Sequence, residues 1–179
     1  MLAKRLGVGV VLTREPGGTA VGERIRALLL DPRGPALDLR TEVLLFLADR
    51  AEHVASVIEP ALSGGRDVVC DRFSGSTIAY QGYGRGLPPS ELERLSSWAA
   101  SGLQPDRVIL LQVGLEVASA RRAARGGADR MEGEGAAFFA RIEAGYAALA
   151  AADPARWRVV DGSGSVGDVA DRVYAAAVE

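Results

Sequence analysis

The 179 residues predict an α/β domain, a parallel sheet carrying helices on both faces, and three observations point there. Four short apolar runs, at 8–13, 67–71, 107–113 and 157–161, alternate with stretches whose apolar side chains recur at helical spacing. Glycine, proline and capping residues punctuate the junctions between them. An apolar content of 48% at this length supports one substantial core and is short for two.

The first run, 8–13, is a strand closed by the polar loop 14–19. Thr19 then caps a helix in which Val21, Ile25, Leu28 and Leu29 share a face until Asp31-Pro32 ends it. After a Pro/Gly-rich loop, a long helix spans 41–62 on the stripe Val43, Leu44, Leu47, Ala51, Val54, Val57, Ile58 and Leu62, its last turn bent at Pro60. Gly64-Gly65 break it, and 67–71 reads as a buried parallel strand followed by a helix over 75–81. Pro88-Pro89-Ser90 with Glu91 and Glu93 start the next helix, which turns Leu92, Leu95, Trp98 and Ala99 inward. The run 107–113 is another buried strand, 115–124 is helical, and 125–135 is a glycine-rich charged segment. An amphipathic helix over 136–151 shows Phe138, Phe139, Ile142, Tyr146 and Leu149, and the strand 157–161 and a helix over 166–178 close the chain.

A net charge of −2 and the lack of any long basic run argue against nucleic acid as a partner, while local arginine clusters suit small anions such as nucleotides. A single cysteine excludes an internal disulfide, and no apolar stretch approaches the roughly 20 residues a membrane span needs. The first residues are too short in their apolar part for a signal peptide, so a cytoplasmic location is expected. Lys4 is the only lysine, which G+C-rich coding accounts for. It follows Ala3 rather than glycines, so the sequence contains no Gly-x-x-x-x-Gly-Lys-Ser/Thr phosphate loop.

Polar clusters gather at the carboxyl ends of the strands, where open α/β sheets place ligands. Thr13-Arg14-Glu15-Pro16-Gly17-Gly18-Thr19 is either a turn with a helix cap or one wall of a site. Phe46 and Arg50 share a helix face, as packing plus a surface charge or as a ring and a fork-shaped donor for a planar base. Asp71-Arg72, with Tyr80, Gln81 and Arg85 a helix length away, is an ion pair or a phosphate and magnesium site. Arg121, Arg122, Arg125 and Arg130 surround a glycine hinge that is a solvated loop or a phosphate lid. His53 and Cys70 read as a helix residue and a small buried group.

Thr13 to Thr19, Phe46-Leu47-Ala48-Asp49-Arg50, Asp71-Arg72-Phe73 with Ala79-Tyr80-Gln81-Gly82, and Arg125-Gly126 with Asp129-Arg130-Met131-Glu132 together resemble bacterial thymidylate kinase along the whole chain. The resemblance implies that Phe46 stacks on thymine, that Arg50 donates to a ring carbonyl, and that Thr77 and Gln81 complete base recognition. It places Tyr80 against the deoxyribose, Arg72 on the monophosphate, Asp71 near Mg2+, and Arg14 with Glu15 along the acceptor pocket. Arg121, Arg125 and Arg130 match positions of a lid at about 125–135, with Arg125 the cation for the transferring group. The implied reaction moves the γ-phosphoryl of ATP to dTMP, giving dTDP, in a homodimer. Catalysis in that scheme rests on Asp71, Arg72 and Arg125, with ATP and Mg2+ as cofactors.

The sequence departs from the family at its start. Members open with a strand, a Walker A loop and a helix, of which Leu2 to Leu6 resembles only the helix end. The expected fold is therefore a P-loop NTPase-like sheet with four strands present and the central first strand missing, between 67–71 and 107–113. Such a chain is expected to be an N-terminally truncated domain, weakly stable and inactive. A thymidylate-binding module without catalysis, and a phosphotransferase that replaces the loop by arginines, are the alternatives.

Overall fold

The computed structural model describes residues 2–7, 9–114, 116–118, 120–121, 130–131 and 133–178. The described elements are α1 (Leu2–Leu6), β1 (Val11–Arg14), α2 (Ala20–Leu30) and α3 (Leu39–His53), which runs through a π-helical turn (Val54–Ile58) into α4 (Glu59–Ser63). Then come β2 (Val68–Asp71), α5 (Ser74–Thr77) continued by a π-helical stretch (Ile78–Gly84), α6 (Pro89–Ala99), β3 (Val108–Gln112), α7 (Ala136–Ala152), β4 (Trp157–Asp161) and α8 (Val166–Val178). Of the helix expected over 115–124, residues 116–118 and 120–121 are helical, and the others lie outside the described residues.

Local chemistry accounts for the boundaries. The Thr19 hydroxyl accepts from the Gly22 amide at 2.8 Å and starts α2, and the Asp38 carboxylate does the same for α3 through the Arg40 amide at 2.9 Å. Pro60 has no N–H to return to the preceding turn, and the helix widens to π geometry just before it. The helix expected to stop at Gln81 instead runs on to Gly84, closed by the Arg85 amide on the Tyr80 carbonyl at 2.9 Å.

The strands form two parallel pairs rather than one continuous sheet: β1 with β2, and β3 with β4. This corrects the expectation of buried strands. Each strand has one partner among the described residues, so β2 is only half buried and Leu111 of β3 remains 50% exposed. Most burial lies between helices instead. Val43 and Leu47 of α3 pack with Ile78, Leu92 and Ala99, while Phe138 and Ile142 of α7 pack with Ala79 and Met131. Trp98, expected inward, stands 79% exposed while Leu92 and Ala99 on the same helix are buried. The two strand pairs meet through α5, where a Cβ at Gly75 would lie 2.9 Å from the Trp157 ring. α1 docks on α8 by Arg5, which pairs with Asp171 and lies over the Tyr174 ring. No helix among the described residues is long and apolar enough to cross a membrane.

Candidate nucleotide site

The carboxyl ends of β1 and β2 lie side by side, with Arg14 opposite Asp71 and the Glu15 amide donating to the Asp71 carbonyl at 2.9 Å. Arg14 and Glu15 part company there. Arg14 is exposed and forks onto both Glu23 oxygens at 3.0 and 3.1 Å, and the Gly18 amide together with Arg14 holds the Glu23 carboxyl below its usual range. Glu15 turns inward and is buried, so the two do not line one pocket.

Inside, Glu15 anchors a closed polar network. One of its oxygens accepts from Arg50 Nε at 2.9 Å and the other from His53 Nδ1 at 3.1 Å. Arg50 also donates to the Thr77 hydroxyl at 3.1 Å and the Ser96 hydroxyl at 3.2 Å, and lies 5.1 Å over the Phe73 ring. With 2% exposure, Arg50 is first a buried counter-ion, and one Nη1 hydrogen has no acceptor among the described residues. His53 Nε2 lies 2.6 Å from the Thr13 hydroxyl, which ties α3 to β1.

Asp49, also buried, takes the Gly17 amide on Oδ1 at 2.8 Å, while Oδ2 has no partner among the described residues. Burial, then repulsion from Glu15, pushes its carboxyl up to about 6 against the Gly17 hydrogen bond. Glycine is required opposite it, because a Cβ at Gly22 would lie 2.6 Å from Asp49 Oδ1 and 2.7 Å from the Gly17 carbonyl oxygen.

Ligand atoms of Glu15, His53 and Cys70 lie within 4.8 Å of one another, yet the cluster is not built for a cation. Burial and the Glu15 charge push the Cys70 thiol up, and it donates to the Arg72 carbonyl at 3.0 Å. The Arg50 guanidinium already balances Glu15.

Arg72 has φ 71°, left-handed for a non-glycine residue at a cost of roughly 1–2 kcal/mol. The turn brings its guanidinium back over the Tyr80 ring at 5.0 Å, donating to the Tyr80 hydroxyl at 3.2 Å and the Tyr146 hydroxyl at 3.4 Å. Tyr146 is fixed in turn by Ser76 at 2.8 Å, and burial raises its phenol despite the cation beside it. Arg72 stays exposed, an anchored cation open to an anion. Asp71, also exposed, ends β2 next to it.

Farther along α3, Glu42, Phe46 and Arg50 follow one another at four-residue intervals on one face. Two hydrogen-bonded rungs join this face to the helix of Thr77 and Gln81. Gln81 Nε2 donates to Glu42 Oε1 at 2.9 Å, and Arg50 Nη2 donates to Thr77 at 3.1 Å. Phe46, half buried, sits between the rungs along α3. Glu42, at 1% exposure, also receives Arg130 at 3.0 Å and Arg85 at 3.5 Å.

Two of the three arginines expected in a lid bond within the chain. Arg121 donates to the Gly162 carbonyl at 3.1 Å, and Arg130 to the Leu29 carbonyl at 2.8 Å as well as to Glu42. Arg125, and with it most of the expected lid, lies outside the described residues.

Sequence reasoning missed Glu42, Asp49, His53, Ser76, Ser96 and Tyr146. Glu42 could have been found from its spacing to Phe46 and Arg50. Tyr146 carried no such signal, since it reads as one more member of an apolar stripe.

A family model described as thymidylate kinase matches residues 2–173. A thymidylate kinase of Solidesulfovibrio magneticus is 49% identical over 175 residues, covering 94% of this chain and 84% of that protein. One from Pelotomaculum thermopropionicum is 51% identical over 159 residues, 88% of this chain and 74% of the relative. The crystal structure of thymidylate kinase from Ehrlichia chaffeensis superposes with a TM-score of 0.78 at 34% identity, over 99% of this chain and 85% of that one. Matches of this extent, in sequence and in fold alike, place the chain in the thymidylate kinase family, nucleoside monophosphate kinases of the α/β P-loop class.

Proposed function

We propose that the chain binds dTMP between α3 and the helix of Thr77 and Gln81, as acceptor for the γ-phosphoryl group of ATP. The observation that carries this is the pair of polar rungs flanking Phe46, with Arg72 anchored yet exposed on the same 74–84 helix through Tyr80. Phe46 offers a ring for the base, and Gln81, Thr77 and the remaining Arg50 hydrogen offer polar groups for its edge. Tyr80 offers a flat contact for the deoxyribose, and Arg72 offers charge for the monophosphate. Arg50 serves the base from a fixed position because Glu15, Thr77 and Ser96 hold it.

Asp71 fits Mg2+ as an exposed carboxylate at a strand's end, since magnesium takes one or two carboxylates and completes its shell with phosphate oxygens and water. Bound there, the ion would supply charge neutralisation to the transferring group. The triphosphate of ATP fits the chain less well. No Gly-x-x-x-x-Gly-Lys stretch occurs in these 179 residues, and guanidinium groups do not replace a nest of amides. The 179 residues assayed alone are therefore expected to bind dTMP with negligible turnover, the behaviour of the binding-module reading. Turnover at a kinase-like rate of about 1–100 per second overturns that expectation. A homodimer is supported by Trp98 and Leu44, which stand exposed on the contacting helices α6 and α3. Sedimentation of Trp98→Glu as a monomer, with the parent a dimer, checks it.

The site itself is tested at its phosphate end. Arg72→Ala should weaken dTMP binding by one to two orders of magnitude, in keeping with roughly 1.5–3 kcal/mol for a charged hydrogen bond, and weaken thymidine binding far less, by what Tyr80 loses with its anchor. Equal losses for dTMP and thymidine would remove Arg72 from the phosphate.

A further inference from the structure

We infer that Glu42 determines base specificity by fixing the orientation of the Gln81 amide, an inference that rests on the reading above of Gln81 at the base edge. A carboxylate only accepts hydrogen bonds, so the Gln81 group facing Glu42 Oε1 at 2.9 Å must be its NH2. The carbonyl oxygen is then the end of the amide turned away from Glu42. Gln81 could otherwise offer either end, because an amide is nearly symmetric in shape and flips at little steric cost.

Glu42 is held to this role from its other side. Arg130 reaches Oε2 at 3.0 Å and Arg85 at 3.5 Å, two cations paired with one buried carboxylate oxygen, which leaves Oε1 to accept from Gln81. Arg130 is itself positioned by the Leu29 carbonyl at 2.8 Å, and Arg85 by Glu134. The chain of contacts therefore ends in a fixed acceptor at Gln81. Thymine and uracil carry a donor at N3, whereas cytosine carries an acceptor there. A fixed carbonyl oxygen pairs with the first and faces a lone pair of the second, and a mispaired buried polar group costs enough for a preference of about tenfold to a hundredfold. Glu42 is thus a positioning residue that selects the imide edge without touching the base.

The test compares dTMP with dCMP by calorimetry on the full 179-residue chain. Glu42→Gln can present either a donor or an acceptor to Gln81, and should lower the dTMP:dCMP affinity ratio at least tenfold. Gln81→Met should lower it to the same level, and the double variant should show no further loss, because both changes remove one device. Glu42→Asp keeps a charge for the two arginines while retracting it from Gln81, and gives the same loss should the glutamine variant not fold. A parent chain that prefers dTMP, with the ratio unchanged in the Glu42 variants or the two affinities falling equally, overturns the role of Glu42 alone. A parent that binds both nucleotides equally overturns the roles of Gln81 and Glu42 together. A parent that binds no thymidylate overturns the site reading, and this inference with it.

Discussion

Arg50 is the residue on which most of the site's geometry depends. It neutralises Glu15 and holds the Thr77 and Ser96 hydroxyls in a place where none of these groups meets bulk water. Replacing it by methionine keeps much of the volume and strands a buried carboxylate. Arg50→Met is expected to cost about 3–5 kcal/mol in urea unfolding, and a loss under about 1 kcal/mol would mean that the pair contributes little. Asp49 behaves in the opposite sense. Its folded carboxyl titrates near 6, above the unfolded value of 3.8, so the folded state binds more protons between those values and stability falls as pH rises through them. Asp49→Asn keeps an acceptor for the Gly17 amide and should flatten that fall, on the order of 1–3 kcal/mol between pH 4 and about 6.5. An unchanged pH profile would assign the fall to other groups. Of these two residues the sequence marked Arg50 by its spacing to Phe46, as a surface charge or a donor to a base, and gave no sign of the buried ion pair with Glu15. Its partners come from three other segments, and spacing along one helix carries no information about them.

At the scale of elements, the contact between α7 and the π-helical stretch 78–84 depends on two glycines. A Cβ at Gly145 would lie 2.7–2.8 Å from Tyr83, and one at Gly84 would lie 2.7 Å from Phe138. Alanine at 145 gains up to about 1 kcal/mol of helix propensity, but overpacking costs typically about 1–3 kcal/mol. Gly145→Ala should therefore destabilise the chain and shift the neighbouring helix that carries Tyr80 and Gln81, read as a lower urea midpoint with weaker dTMP binding. A raised midpoint would show that Tyr83 moves aside freely. Helices were the legible part of this fold: Thr19, Asp31-Pro32 and Pro88-Pro89 punctuate α2 and α6 in the sequence, and the periodicity of 136–151 gives α7 nearly to the residue. The widened turns were not legible, since π geometry follows from packing and from Pro60 rather than from any pattern of apolar residues. Trp98 was misread for a related reason. Helical spacing identifies a stripe, and an aromatic at its edge can face either way.

For the whole molecule, the strand pairs are the decisive feature. The accessible surface is 10042 Å² for 18.7 kDa, where a compact monomer of that mass exposes about 8,300 Å². Part of the excess is apolar strand surface, with Leu12 67% exposed and Val159 54% exposed. The candidate site is built differently: Glu15, Arg50 and Thr77 form one buried hydrogen-bonded set, and Glu42 with Gln81 another. On the proposed reading this helical half, with Glu15 and Arg72 from the ends of β1 and β2, forms a thymidylate pocket. Calorimetric titration of the 179-residue chain with dTMP decides whether the pocket forms. Saturable binding near one equivalent, weakened tenfold or more in Phe46→Ala because a stacked base is worth about 1–3 kcal/mol, is the predicted result. A folded chain that takes up no dTMP, or one that binds it equally well without the Phe46 ring, would rule the pocket out.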